Sequence, residues 1–164
     1  MYLFCASFIH QRMFSFFKKK PLLDKEIQDA VAAAIASVER RSTGEIRVYA
    51  ESHCPLVDPV ERCEQIFVQL KMHETAEQNG VLLYLAIKDR QFAIAGDKGI
   101  NDKVGGKKYW EAKADQLKFY LAKGYLKDGI CACVEAVGQS LIEHFPDKGL
   151  ENKNELPDEI VFGK

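Results

Sequence analysis

The sequence predicts an α/β fold, a mixed β-sheet with helices on both faces. Three observations carry this. The run Val81-Leu82-Leu83-Tyr84-Leu85-Ala86-Ile87 is short, apolar and without alternation, the pattern of a central strand covered on both sides. Glu45–Glu51 alternates strictly and is separated from that run by a helical pattern. Two such strands are predicted to lie parallel, joined by a right-handed crossover. Four segments in all, the crossover included, repeat apolar residues at helical spacing, enough to cover both faces of the sheet.

The elements follow in order. Asp24 is a suitable cap for a helix over about 25–41, with Ile27, Val31, Ala34, Ile35 and Val38 as its buried stripe, and Gly44 breaks it. In the first strand, Ile46, Val48 and Ala50 face the core, while Glu45, Arg47, Tyr49 and Glu51 form a partly wet face. Asp58-Pro59-Val60-Glu61 reads as a capping box with proline in the first turn, opening a helix whose apolar face is Val60, Cys63, Phe67 and Leu70. Lys88-Asp89-Arg90-Gln91 is a turn, and Phe92-Ala93-Ile94-Ala95 returns antiparallel. A long polar loop is expected from Gly96 to about Lys108. Trp110, Ala114, Leu117 and Leu121 mark the third helix, which Gly124 stops. Ile130, Val134, Val137 and Leu141 mark the fourth, which begins near Asp128 and ends at His144-Phe145-Pro146. The predicted order is α-β-α-β-β-α-α.

Both ends differ from this domain in composition. Residues 1–20 hold Phe4, Phe8, Phe14, Phe16 and Phe17, no acid, and a closing Lys18-Lys19-Lys20. They lack periodicity continuous with the domain and read as a tail dispensable for folding. An aromatic and basic segment of this kind also suits peripheral contact with an anionic membrane. Residues 21–146 form the domain. Residues 147–164 read as an acidic tail with a short apolar Ile160-Val161-Phe162.

A chain of 164 residues with net charge −1 carries no basic excess, which argues against nucleic acid as a partner. Five cysteines without paired spacing do not make a disulfide framework. Reduced thiols place the expectation in the cytoplasm, with the inner face of the membrane as the alternative. No segment offers the roughly 20 apolar residues of a membrane span. Walker, GxGxxG and GxSxG patterns are absent. His73-Glu74-Thr75-Ala76-Glu77 starts like a zinc-protease motif, but Glu77 stands where the second histidine is required.

Two groups of residues remain as candidate sites, one at each end of the sheet. At the carboxyl end of the parallel strands lie Glu51, His53, Asp89 and Arg90, the usual ligand side of open α/β sheets. At the other end lie Glu45, the Gln78-Asn79-Gly80 lead into the apolar strand, and the loop Gly96-Asp97-Lys98-Gly99-Ile100-Asn101-Asp102. This second group offers carboxylate, carboxamide and backbone oxygens, a donor set for hard cations such as Ca2+ or Mg2+.

The stretch from Gln78 to Ile94, an Asn-Gly lead, an apolar strand, the Asp89-Arg90 turn and a return strand ahead of a glycine-containing loop, resembles the TPM domain family. Thr43-Gly44-Glu45-Ile46 is similar to the family's first strand, Glu64-Gln65-Ile66-Phe67 to its second helix, and Gly124 through Gly138 to its closing helix pair. The likeness spans residues 24–146. It implies a three-layer α/β/α sandwich, a divalent-cation site at the loop end of the hairpin and, in some members, acid phosphatase activity. Asp97 and Asp102 would then hold the ion, with Asn79 and Asn101 completing the shell. Gln78 stands where the family commonly has aspartate, and Asn101 where it commonly has glutamate, so the implied site is two formal charges short. That deficit points first to a non-catalytic binding or quality-control module with a weak Ca2+ or Mg2+ site and a protein partner, such as a membrane-protein assembly. The alternative is a metal-dependent phosphatase acting on phosphate monoesters.

Overall fold

The apolar run forms the middle strand of a five-stranded sheet. The computed structural model describes residues 2–7, 21–147, 149 and 160–163. In it the sheet order is β1 (Tyr2–Ser7), β4 (Gln91–Gly96), β3 (Val81–Ala86), β2 (Ile46–Glu51) and β5 (Val161–Phe162). β2 and β3 run parallel with Ile46 opposite Val81, and β3 and β4 run antiparallel with Val81 opposite Gly96. All six side chains of β3 are buried, as a strand covered on both faces requires.

Three helices, α1 (Lys25–Glu39), α4 (Lys107–Ala122) and α5 (Leu126–His144), cover one face. Val31, Ile35, Trp110, Leu117, Val134 and Leu141 pack there with Val48, Leu83, Leu85 and Ile94 of the sheet. α2 (Pro59–Gln69) covers the other, bringing Cys63, Ile66 and Phe67 to Leu82, Tyr84 and Ala93. Asp24 caps α1 as expected, accepting from the Ile27 amide at 3.1 Å, and Asp58 caps α2, but by accepting from the Val60 amide at 2.8 Å rather than from the Glu61 amide of the expected capping box. The result is the three-layer α/β/α sandwich with a mixed sheet. Among the described residues no helix is long and apolar enough to cross a membrane.

Four local expectations are corrected. Tyr2–Ser7, assigned to a tail, pairs antiparallel with the whole of β4, from Tyr2 opposite Gly96 to Ser7 opposite Gln91. Without it β4 would present a bare row of donors and acceptors to solvent. Residues 8–20 lie outside the described residues, as does most of 148–159. Val161–Phe162, assigned to the acidic tail, adds a short parallel pairing to β2 at Tyr49 and Ala50. The long polar loop after Gly96 contains a helix, α3 (Lys98–Val104), capped by Asp97 and anchored by buried Ile100. Finally, the wet face of β2 is dry. Arg47 and Glu51 are buried, and each is neutralised by ion pairs, Arg47 with Glu39 and Glu45 and Glu51 with Arg62.

Candidate functional site

The parallel register of β2 and β3 fixes what meets at their amino-terminal ends. The Val81 amide donates to the Glu45 carbonyl at 2.8 Å, so the residues just before each strand become neighbours. Thr43 and Asn79 meet there, the Asn79 side-chain amide donating to Thr43 Oγ1 at 3.2 Å. Thr43 in turn donates its hydroxyl proton to the Glu77 carboxylate. Gln78 turns the chain with a left-handed φ of 51° between them.

β4 ends beside this turn. The Asp97 amide donates to the Gly80 carbonyl at 2.9 Å, the last rung before α3 begins. α3 then presses its first turn onto the 77–78 backbone, where a Cβ on Gly99 would sit 2.1 Å from the Glu77 carbonyl oxygen. Only glycine permits that approach. The Ile100 amide closes the contact by donating to the Gln78 carbonyl at 3.3 Å.

Two oxygen atoms at this sheet end are buried without a donor, Asn79 Oδ1 and Asp97 Oδ2. Asp97 spends its other oxygen on the Lys98 amide at 2.7 Å, and Asn79 spends its amide on Thr43. Leaving such atoms unpaired costs about 1–3 kcal/mol each, more where the group is charged. The donors are all hard oxygens, which suits Ca2+ or Mg2+ rather than zinc or copper.

The structure divides the four expected ligands. Asn79 and Asp97 are brought together at one sheet end. Asp102 is exposed on α3 and ion-paired with Lys98 at 2.5 Å. Asn101 Oδ1 accepts from the Trp110 indole at 3.1 Å. Thr43 and Glu77 were not anticipated at the site. The β2–β3 register was the available signal for Thr43. Glu77, which in the sequence only breaks a zinc-protease pattern, is the carboxylate that the Thr43 hydroxyl reaches. Glu45, placed in the same group, is instead turned to Arg47 at 3.4 Å. Among the described residues no three histidine, cysteine or acidic side chains gather as a metal cluster.

At the other sheet end, Glu51, His53 and Asp89 are near one another, but each already has a partner. Arg62 grips Glu51 through two hydrogen bonds of 2.9 Å, and the Tyr84 hydroxyl donates to it at 2.6 Å. Burial alone would raise the Glu51 carboxyl, but these donors and the Arg62 charge outweigh it and hold the group below its ordinary value. Tyr84 is pushed well above its ordinary value by burial, with Cys54 and Glu51 beside it. Asp89 takes the His53 ring at 2.6 Å and the Cys54 amide at 2.6 Å. Burial would raise Asp89 too, but these two partners bring it below the usual carboxylate value. Arg90 shapes the hairpin turn with a left-handed φ of 56°.

Sandwich, hairpin and oxygen-lined sheet end together define a small α/β/α domain of the kind found in one family. The TPM domain model matches residues 17–140, and the chain belongs to that family. Among solved structures, the chain is similar to the BA42 protein of the psychrophilic bacterium Bizionia argentinensis, with 36% identity and a TM-score of 0.79 over 89% of this chain and 99% of that one. It is also similar to the N-terminal domain of the cg2496 protein from Corynebacterium glutamicum, with 19% identity and a TM-score of 0.59 over 82% of this chain and 88% of that one, a likeness of fold alone. No curated protein sequence matches the chain.

Proposed function

We propose that this protein is a non-catalytic TPM-domain module that takes up a hard divalent cation, Ca2+ or Mg2+, weakly at the Asn79–Asp97 end of the sheet and acts through a protein partner. The carrying observation is the pair of buried, donorless oxygens, Asn79 Oδ1 and Asp97 Oδ2, on adjoining strand ends. Glu77, tethered by Thr43, supplies a second carboxylate nearby. Ca2+ affinity rises with charge count and rigidity. Two carboxylates support a dissociation constant of about 0.1–1 mM or weaker. Phosphoryl transfer asks for more, a positioned water and a cationic clamp on the developing charge. Arg90, at the hairpin turn, belongs to the opposite sheet end and cannot supply that clamp, which favours the binding reading.

Titrating Ca2+ or Mg2+ into the protein while following amide shifts tests this. Shifts are expected at residues 43, 77–80 and 96–99. Asp97→Asn should weaken binding at least about ten-fold, the lower bound seen when even the supporting shell of a metal is altered. Asp102→Asn should leave affinity nearly unchanged, because its carboxylate is engaged with Lys98. Shifts centred on residues 51, 53 and 89, or none at several times the expected constant, would refute the cation site. Metal-dependent turnover of a phosphate monoester by the pure protein would refute the non-catalytic reading.

A further inference from the structure

We propose that Glu77 is a positioning residue. Acting through the Thr43 hydroxyl, it holds the Asn79 carboxamide with the oxygen rather than the amide open in the buried sheet end, and so makes that end select positive charge. The inference rests on the cation reading and adds what orients one of its ligands.

The Asn79 main chain is fixed. Its amide donates to Thr75 Oγ1 at 3.1 Å, and the Gln78 amide donates to the Thr75 carbonyl at 3.1 Å. The β2–β3 register takes over two residues later, at Val81. Asn79 is only 1% exposed, so its side chain is enclosed. What is left open is a half-turn of the carboxamide about its last bond. Oxygen and amide nitrogen fill nearly the same space, so packing does not choose between them and hydrogen bonding must.

Thr43 alone does not choose either. A hydroxyl carries one hydrogen and two lone pairs, so it can accept from the Asn79 amide or donate to the Asn79 oxygen. Glu77 breaks the tie. An ionised carboxylate only accepts, so the single Thr43 hydrogen is committed to it. Thr43 Oγ1 is left with lone pairs, and the Asn79 group that meets it at 3.2 Å is therefore the amide. The chain has one direction, from Asn79 through Thr43 to Glu77.

Its consequence falls on the other arm of the carboxamide. Asn79 Oδ1 is left buried without a donor, as is Asp97 Oδ2. Turned over, the same side chain would present two hydrogens there, which repel a cation. Glu77 itself is exposed, so a charge at the surface sets the polarity of a buried group.

The test compares Thr43→Ser, which keeps the hydroxyl, with Thr43→Val, which keeps the shape and leaves Glu77 in place. Ca2+ is titrated into each full chain while amide shifts are followed. Thr43→Ser should bind as the unaltered protein does. Thr43→Val should bind at least about ten-fold more weakly, the range found when a residue supporting a metal ligand is lost. Undiminished affinity in Thr43→Val would mean that Glu77 acts through its own charge alone and would overturn the proposal, as would an equal loss in Thr43→Ser. Orientation is read separately, in the metal-free protein, from nuclear Overhauser contacts of the Asn79 side-chain amide hydrogens. These should reach the Thr43 methyl group. Glu77→Lys, whose ammonium only donates, should weaken that contact by freeing the Thr43 hydrogen for the Asn79 oxygen. Amide hydrogens that do not reach Thr43 in the unaltered protein, or a contact at full strength in Glu77→Lys, would overturn the proposal. Unaltered protein that takes up no Ca2+ would refute the cation reading and with it the selection of positive charge, while the amide contacts would still decide whether Glu77 orients Asn79.

Discussion

Glu51 shows how one buried carboxylate shapes the acid response of the protein. Its proton is held more weakly in the folded state than in the unfolded chain, because Arg62 and Tyr84 stabilise the anion. The folded value lies below the unfolded one, so the group contributes stability above the ordinary glutamate range. That contribution is lost as the pH falls through the folded value. Glu51→Gln should therefore cost about 3 kcal/mol at neutral pH, the lower end of the cost of breaking a buried pair. The gap to the parent should narrow as the pH is lowered past the glutamate range. Urea midpoints for both proteins from pH 7 to pH 3 measure this, and parallel curves would show that Glu51 does not carry the acid response. Residue types at the candidate cation site were legible in the sequence, but their directions were not. Asp97 and Asp102 look equivalent along an extended loop. Once the segment coils into α3, positions five apart project about 140° from each other, and Asp102 falls one turn after Lys98, to which it pairs. The carboxylate linked to Asn79 is that of Glu77, through Thr43, which only the strand register brings near.

At the scale of elements, legibility followed burial. β3 was readable because being covered on both faces leaves a continuous apolar run, and helices α1, α2, α4 and α5 because a single buried stripe leaves a helical period. α3 escaped because seven residues offer it only Ile100 as a buried anchor. Its signal was the cap rather than the period: Asp97 ahead of Lys98, with Gly105 at a φ of 87° closing it. The β2 face that alternates Arg47, Tyr49 and Glu51 looked wet because charge usually marks solvent, whereas here each charge is paired beneath neighbouring elements. The central placement of β3 has a direct consequence. Leu83 and Leu85 are 3% and 2% exposed and face the layer of α1, α4 and α5. Either leucine replaced by alanine should cost about 2–5 kcal/mol in denaturant unfolding, through lost transfer energy and the cavity left behind. A loss below about 1 kcal/mol at both would be the response of an edge strand and would contradict the observed order.

At the scale of the whole molecule, the two ends of the chain close the two edges of the sheet. β5 touches β2 over Val161 and Phe162 only, but β1 follows β4 over all six residues. Composition hid this, since an aromatic segment without acids or a period reads as a tail, and strand pairing across the sequence leaves no local mark. The pairing makes Tyr2–Ser7 part of the fold, and removing this strand should be felt in two ways. Each backbone hydrogen bond contributes about 0.5–1.5 kcal/mol net, so losing the β1 ladder should cost at least about 2 kcal/mol. At about 2–4 °C per kcal/mol for a chain of this size, the melting temperature should fall by roughly 4–8 °C or more. The truncated protein also exposes Phe92-Ala93-Ile94-Ala95 along a bare edge, and such an edge recruits strands from other molecules. Sedimentation velocity over a range of concentrations should therefore show self-association in the truncated protein beyond that of the full chain. A truncated protein with the melting temperature and sedimentation behaviour of the full chain would mean that the β4 edge is stable uncovered and that Tyr2–Ser7 adds nothing to the fold.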